Sequence, residues 1–217
     1  MAGLRGASLG SSANSMSTNY EKIIRENLTR AFQKGEIKLE QTLPAKREGR
    51  RLVFRAFGEE CSLEPEAIAF SGQVDAGPKS LIVSLYAAYS NPGSVLLEPF
   101  KAFKDLPGSM PYQGAFTVNI ERVLIPHVSK IKEKAELILQ SFAGEINPAG
   151  AAGDFSHLLY PLPKIALLFI FYLSDEDFPA SATCLFSSNA LSFMPLDGLA
   201  DVAEYTSKAL IGLVHQR

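Results

Sequence analysis

Six side chains with carboxylate, imidazole or phenol groups lie on either side of one apolar block: Asp154, His157, Tyr160, Asp175, Glu176 and Asp177. Carboxylates and an imidazole can bind a hard or borderline divalent ion. Two neighbouring carboxylates can also divide into a protonated acid and an ionised base. The pattern therefore predicts a candidate acidic site for binding or proton transfer, without assigning a catalytic role or a metal to any particular residue.

A structural role explains the same residues without any chemistry. Acids that follow a strand commonly form a solvated turn, and exposed charges of that kind contribute little to stability. Asp154 is also placed to cap a local turn or to pair with Lys164. A solvated turn, a binding site and a catalytic site are therefore three alternatives for this patch.

The element that must position these residues is the apolar block Ile165–Leu173. It is too short to cross a bilayer and too continuous for an amphipathic surface helix, so it predicts a strand buried on both faces. A second apolar segment, Ala180–Phe186, follows after a connection of about six to eight residues, which is too short for a parallel crossover. The two segments are predicted to pair as antiparallel neighbours.

Helical periodicity accounts for most of the remaining chain. Apolar residues recur every three to four positions in five segments, which predict helices near residues 20–32, 78–89, 116–124, 129–142 and 197–213. Alternation predicts a further strand over Leu52–Gly58. Because most of the helices precede the strand pair instead of alternating with strands, we expect an α+β fold in which helices pack on a small, mainly antiparallel sheet.

Length and composition bound the domain organisation. A chain of 217 residues, 47% of them hydrophobic, is enough for one sizeable core. Residues 1–16, rich in Gly, Ala and Ser, are predicted to be a disordered N-terminal tail, and residues 17–217 a single α+β domain. Cys61 and Cys184 lie far apart without a Cys/His cluster, so we expect reduced thiols in a cytoplasmic protein.

The charge and the motifs exclude several classes of partner. A formal net charge of −2 gives no bulk attraction to nucleic acid or anionic lipid, so neither is expected as a partner. No apolar run approaches the roughly 18 residues of a membrane helix. The glycine motifs of dinucleotide and nucleoside triphosphate sites do not occur. Four basic residues between Lys46 and Arg51 could hold a phosphate, but a solvated hairpin turn is the favoured interpretation, because no aromatic stacking platform is interleaved with them.

Several short motifs occur in order between Leu52 and Leu213, and they are Phe57-Gly58, Leu106-Pro107-Gly108, Tyr112, Ala115-Phe116, Asp154, Leu162-Pro163, Asp175-Glu176-Asp177-Phe178-Pro179, Leu185-Phe186 and Asp197. In order and spacing they resemble the bacterial and archaeal domain of unknown function 3786 family, found largely in anaerobes. The sequence departs from the family pattern at Ser174, where glycine is common, and at Ser187, where aspartate is common.

The resemblance implies a setting but no reaction, because the family is uncharacterised. That setting is anaerobic metabolism beside corrinoid or iron-sulfur proteins, so the implied partner is a protein of that kind. Since this chain has no cysteine cluster, an iron-sulfur centre would belong to the partner.

Three functions follow as hypotheses. The first is a cofactor- or partner-binding accessory domain, with a cleft edged by Asp154, Tyr160, Asp175 and Asp177. The second is a metal-assisted or acid/base enzyme that uses the carboxylates of Asp154, Asp175 and Asp177. The third is a structural or oligomerisation module.

Overall fold

The computed structural model of the protein describes residues 11–148 and 151–216. Within these ranges the α-helices are α1 (Ser11–Phe32), α2 (Glu36–Thr42), α3 (Pro78–Tyr89), α4 (Gln113–Phe116), α5 (Val128–Glu133), α6 (Ala135–Phe142) and α7 (Leu196–Val214). The strands are β1 (Lys46–Glu48), β2 (Arg51–Ala56), β3 (Glu59–Leu63), β4 (Ile68–Phe70), β5 (Gln73–Asp75), β6 (Lys101–Ala102), β7 (Glu145–Ile146), β8 (Phe155–Leu162), β9 (Ile165–Tyr172) and β10 (Ser181–Phe186).

The strands form two antiparallel sheets of five strands each. Sheet A has the order β1-β2-β3-β4-β5, and sheet B has the order β6-β10-β9-β8-β7. The α+β class with antiparallel pairing is confirmed. The protein contains two such sheets where the sequence predicted one.

Strand β9 is the centre of sheet B. Every residue from Ile165 to Phe171 is buried, which confirms the prediction of a strand covered on both faces. Strand β10 pairs with it in antiparallel register from Ser181 to Phe186, as expected. On its other side β9 pairs with β8, a strand that the sequence analysis did not predict.

The two faces of sheet B are covered by different parts of the chain. Its inner face belongs to the main core and carries the aromatic side chains Phe155, Phe169, Phe171 and Phe186. On its outer face, a smaller cluster is covered by Val95, Leu97 and Phe100, which come from the segment before β6; the cluster consists of Leu158, Ala166, Leu168 and Ile170. Because both faces of sheet B are buried, the sequence of β9 is an unbroken apolar block.

Sheet A is a meander of consecutive strands that buries one face. Alternate residues of β2 are buried, as the pattern over Leu52–Gly58 predicts. Phe54 of β2 meets Tyr86 of α3 edge to face, with ring centroids 6.2 Å apart. Helix α1 lies along α3, where Asn27 Nδ2 donates a hydrogen bond to Ser84 Oγ at 3.0 Å.

The turn between β2 and β3 joins the two sheets. Phe57 and Gly58 have φ values of +54° and +83°. The Phe57 N–H donates to the carbonyl oxygen of Pro161 in β8 at 2.7 Å, and the Phe57 ring packs on Tyr205 of α7 with centroids 4.6 Å apart. A Cβ at Gly58 would lie 2.9 Å from the carbonyl oxygen of Ser141 in α6, so the close approach requires glycine.

Helix α7 packs against α3, α5, α6 and residues 117–127 at once. Its inward side is fully buried at Leu199, Val202, Ala203 and Leu210. The predicted helix near 197–213 is confirmed, and its opposite side is accessible to solvent at Asp197, which is exposed.

Residues 113–127 do not form the regular helix that was predicted near 116–124. Helix α4 passes into a π turn over Thr117–Glu121, in which the Arg122 N–H donates to the Thr117 carbonyl oxygen, and then into a 3₁₀ turn over Arg122–His127. Pro126 has no N–H to donate, and its ring would crowd a carbonyl oxygen one α-turn back. The helix predicted over 129–142 is likewise divided into α5 and α6.

Helix α1 begins at Ser11, whereas the sequence predicted a helix only near residues 20–32 and assigned residues 11–16 to the tail. The rest of the predicted tail, residues 1–10, lies outside the described residues. In the described ranges no helix, α1 and α7 included, combines the length and the apolar character that a membrane crossing requires.

We expect Gly58→Ala to destabilise the protein more than Gly49→Ala. Both glycines have positive φ values, +83° and +64°, so alanine incurs a similar backbone cost of about 1 kcal/mol at each. A Cβ at Gly49 meets nothing within 4 Å, whereas at Gly58 it meets the Ser141 carbonyl. Urea unfolding should show an extra loss of about 1–3 kcal/mol for Gly58→Ala. Equal losses would contradict tight docking of this turn on α6.

Candidate functional site

The acids after β9 form a tight hydrogen-bonded turn. Asp175 Oδ1 accepts the N–H groups of Asp177 at 2.9 Å and of Phe178 at 2.7 Å. The Asp175 N–H donates to the Phe178 carbonyl oxygen at 3.0 Å. Asp175, Glu176 and Asp177 are all exposed. The Asp175 carboxylate therefore organises the connection between β9 and β10.

Two further predicted site residues lie apart: Asp154 directly precedes β8, whereas Tyr160 lies within it. Asp154 Oδ2 accepts the Leu173 N–H at 2.7 Å, so Asp154 lies at the same end of sheet B as Asp175. Tyr160 is roughly 20 Å farther along the strand at about 3.3 Å per residue. It packs against the apolar cluster on the outer face of the sheet. The structure does not bring Tyr160 together with the acids.

His157, the remaining predicted site residue, is fully buried on the inner face of sheet B. Its ring lies beside Phe155 and Phe171, with centroid distances of 5.4 Å and 5.8 Å. Neither ring nitrogen has a hydrogen-bond partner among the described residues. Burial lowers the pKa of His157 to about 4, so the ring is neutral at pH 7. In this position the imidazole is part of the core.

The described residues contain no group of three or more His, Cys, Asp or Glu side chains that could hold a metal ion. Cys61 and Cys184 are free and buried. Burial raises the pKa of the Cys61 thiol to about 12 and that of Cys184 well above its ordinary value. Both side chains are therefore protonated near neutral pH and are poor nucleophiles.

The basic segment between Lys46 and Arg51 forms the β1–β2 hairpin. Three of its four cations pair with carboxylates: Lys46 with Glu48 at 2.8 Å, Arg51 with Glu64 at 2.9 Å, and Arg47 with Glu36. The solvated-hairpin interpretation accounts for this segment, because most of its positive charge is already paired.

A cavity of about 480 Å³, here called the α7 groove, lies between α7 and residues 103–120. Its volume is in the range of small-molecule sites. Its floor is aromatic: Phe103 and Phe116 stack with centroids 4.2 Å apart and planes 7° apart, and both rings contact Phe186 of β10. Tyr112 lines the groove and is 61% exposed. The solvent-accessible apolar surface of the groove therefore comes from Tyr112, Ala115, Leu196 and Ala200, which lie over a rigid base of buried rings.

The irregular backbone of residues 117–121 shapes one wall of this groove. The π turn places Asn119 and Ile120 in the lining. Its last residue, Glu121, accepts the N–H of Cys184 at 3.2 Å with Oε1 and so fastens the turn to β10. π turns are rare and recur at functional sites, and here the turn is held by a specific contact with sheet B.

Three acids of α7 form the other wall. Asp197, Asp201 and Glu204 are spaced at i, i+4 and i+7, which puts them on one side of the helix. Glu204 Oε1 accepts a hydrogen bond from Lys208 Nζ at 2.5 Å. Asp201 makes no ion pair with any of the described residues, and the neighbouring Lys208 pairs with Glu204. Asp201 is accessible to solvent. Partial desolvation still raises its pKa, and the nearby carboxylates of Asp197 and Glu204 raise it further.

The α7 groove was not predicted, although the sequence contained part of its signal. The helical spacing of Asp197, Asp201 and Glu204 is visible in the chain, but only the apolar positions of this helix were interpreted. Four lining residues are also among those on which the family resemblance rests: Tyr112, Ala115, Phe116 and Asp197. The opposition of the two walls depends on the fold and has no local sequence pattern.

The protein is thus a two-sheet α+β protein with a partly apolar, partly acidic groove beside its last helix. The family described as Domain of unknown function (DUF3786) has a model that matches residues 36–209, and the chain belongs to that family. The match confirms the resemblance. Neither a curated protein nor a solved structure matches the chain.

We expect His157→Leu to remove an acid-dependent loss of stability. The folded pKa of about 4 lies below the ordinary value of about 6.5, so the unfolded chain binds this proton more readily. The native protein should therefore lose stability as pH falls from about 6.5 to about 4, by about 3 kcal/mol from this group. Urea unfolding across that pH range should show a smaller loss for His157→Leu. An identical pH profile for the two proteins would contradict a buried neutral imidazole.

The turn after β9 predicts different effects for two substitutions of Asp175. Asparagine retains an oxygen that can accept the Asp177 and Phe178 N–H groups, so Asp175→Asn together with Asp177→Asn should change the free energy of unfolding by less than about 1 kcal/mol. Alanine removes the acceptor, and Asp175→Ala should lose about 1 kcal/mol. Thermal and urea unfolding measure both. A larger loss for the double asparagine variant would show that the charges themselves stabilise the fold.

Proposed function

We propose that this protein is a binding protein and that the α7 groove recognises a group with an apolar body and a positive charge. The observation that carries the proposal is the opposition of an aromatic floor and a wall of three carboxylates in one cavity of about 480 Å³. The aromatic floor would bind the apolar body of the ligand, and the carboxylates would bind its positive charge.

The apolar part of the ligand would bury surface on the aromatic floor. Phe103 and Phe116 are only 2% and 3% exposed and are fixed by their stacking, so they require little ordering when a ligand binds. Tyr112 is exposed at the mouth and can close over an apolar group. Removing apolar surface from water contributes about 25 cal/mol per Å² before the costs of binding.

The charged part would be attracted by the acids of α7. None of the described residues that line the groove is basic, and Lys208 engages only Glu204. The pKa of Asp201 is raised first by partial desolvation and then by repulsion from the carboxylates of Asp197 and Glu204. A bound cation relieves that repulsion.

Binding fits the groove better than catalysis does. Among the described residues of its lining there is no Ser, Cys, His or Lys that could act as a nucleophile beside a base. The enzyme hypothesis that uses Asp154, Asp175 and Asp177 stays a prediction, although Asp154 and Asp175 already accept backbone N–H groups. The structural or oligomerisation module also stays a prediction.

The setting implied by the family resemblance is part of this proposal. An accessory role in the cytoplasm of an anaerobe, beside a corrinoid or iron-sulfur protein, would require a surface that such a partner can contact. The α7 groove is the surface we assign to that role, in place of the cleft predicted between Asp154 and Asp177. A partner would engage it through a basic and apolar group.

Three probes that share an indole-3-ethyl body test the charge requirement: tryptamine, which is cationic, tryptophol, which is neutral, and indole-3-propionate, which is anionic and slightly larger. Tryptamine should bind about tenfold more tightly than tryptophol, because a charge-assisted contact contributes about 1.5 kcal/mol or more. Indole-3-propionate should bind most weakly. Isothermal titration calorimetry and ligand-observed NMR measure all three.

Asp201→Asn should reduce the affinity for tryptamine about tenfold and leave that for tryptophol unchanged. Asp177→Asn removes an exposed acid from the β9–β10 turn and serves as the matched control, with no expected effect. Equal binding of the three probes, or an effect of Asp177→Asn as large as that of Asp201→Asn, would overturn the proposed site.

A further inference from the structure

A second, smaller cavity of about 160 Å³ lies on the other side of the acidic residues of α7. It is formed by Tyr20 of α1, Leu81 and Ile82 of α3, and Tyr205 of α7. Asp201 and Glu204 line both this cavity and the α7 groove. Asp201 and Glu204 therefore form a ridge, here called the acidic ridge, between two hollows of different size. The smaller hollow is here called the small cavity.

The two hollows differ in what they can hold. The α7 groove, at about 480 Å³, has room for an aromatic group above the stacked Phe103 and Phe116. The small cavity, at about 160 Å³, has apolar walls from Leu81 and Ile82, and Lys208, the one cation among the described residues of its lining, is held by Glu204. It has room for a small aliphatic side chain. One ligand that fills both must present two apolar groups of unequal size with a cation between them.

The two hollows flank the same two side chains of α7, so we take the width of the helix as the span that a ligand must cover. An α-helix with its side chains is about 10–12 Å across. In an extended peptide, residues i, i+2 and i+4 point to the same side, and i and i+4 are about 13 Å apart. An extended chain can therefore place one side chain in each hollow and the middle side chain against the ridge.

The surface beyond the groove also favours a protein partner. The residues before and within the π turn expose Met110 and Val118, with 71% and 50% of their surfaces accessible. Both belong to the 103–120 segment that forms one side of the α7 groove, and neither lines the cavity itself. A small ligand confined to the groove would leave them uncovered, whereas a polypeptide that continues past the groove can cover them.

We propose that the occupant is an extended segment of another protein that lies across the acidic ridge, with an aromatic side chain in the α7 groove, a basic side chain against Asp201, and a small aliphatic side chain in the small cavity. This inference rests on the proposed function, because it assigns a partner chemistry to the same site. The recognised pattern has alternate residues that are aromatic, basic and small aliphatic, in either chain direction.

Synthetic pentapeptides test the proposal: Ac-Trp-Ser-Arg-Ser-Val-NH2, the reversed order Ac-Val-Ser-Arg-Ser-Trp-NH2, and versions of each with Val replaced by Gly or Arg replaced by Gln. One of the two orders should bind at least tenfold more tightly than tryptamine by calorimetry. In that order, Val-to-Gly should weaken binding about fivefold or more, and Arg-to-Gln about tenfold.

Tyr20→Ala opens one wall of the small cavity and provides the test on the protein side. It should reduce the effect of Val-to-Gly to about twofold or less and leave tryptamine binding unchanged, because Tyr20 does not line the α7 groove. Circular dichroism melting checks that the variant is folded, and the peptide series in the unaltered protein remains decisive if it is not.

The outcomes separate the two proposals. One outcome is that tryptamine binds with the expected dependence on Asp201 while the Val and Gly peptides bind equally in both orders. That result overturns the proposal of an extended partner segment and leaves the proposed function standing. If neither tryptamine nor any peptide binds, both are overturned. The ridge-spanning segment is supported if the peptide that contains both Arg and Val binds more weakly to the Asp201→Asn protein. The loss of affinity on Val-to-Gly replacement must then also depend on Tyr20.

Discussion

Helix α7 packs its inward side against α3, α5, α6 and residues 117–127, and it meets the Phe57–Gly58 turn through Tyr205. A helix buried on one side by so many neighbours cannot rotate or shift without disturbing the core. Its outward acids, Asp197, Asp201 and Glu204, are therefore held in fixed positions beside the aromatic floor. The same packing that stabilises the two-sheet fold also holds like charges together at its surface.

The elements that sequence patterns predicted are those whose burial follows a simple period. Strand β9 is apolar throughout because both faces are covered, and α3 and α7 keep regular apolar stripes. Strand β8 was missed because Ser156 and His157 are buried polar residues and Pro161 interrupts the apolar pattern. The π and 3₁₀ turns of residues 117–127 override an apparently helical spacing, since Glu121 is fixed to β10 and Pro126 cannot continue an α-helix.

The predicted acidic patch shows why residue type alone is a weak guide to a site. Asp154 and Asp175 have the carboxylates that chemistry would need, but each accepts backbone N–H groups at one end of sheet B. His157 has the imidazole, but the strand turns it into the core. Asp201, in contrast, belongs to no motif singled out in the sequence. Its environment becomes evident only when α7 is placed against Phe103 and Phe116. The surroundings of such a carboxylate can be recognised only after the fold is known.

Unpaired negative charge in the α7 groove can be measured directly by a pH titration of the Asp201 carboxyl carbon in carbon-detected NMR, with and without saturating tryptamine. The groove predicts that the pKa of Asp201 in the free protein lies above its ordinary value and that tryptamine lowers it, because a bound cation stabilises the carboxylate. A pKa of Asp201 that lies at its ordinary value, or that tryptamine does not move, would contradict a cation-binding groove.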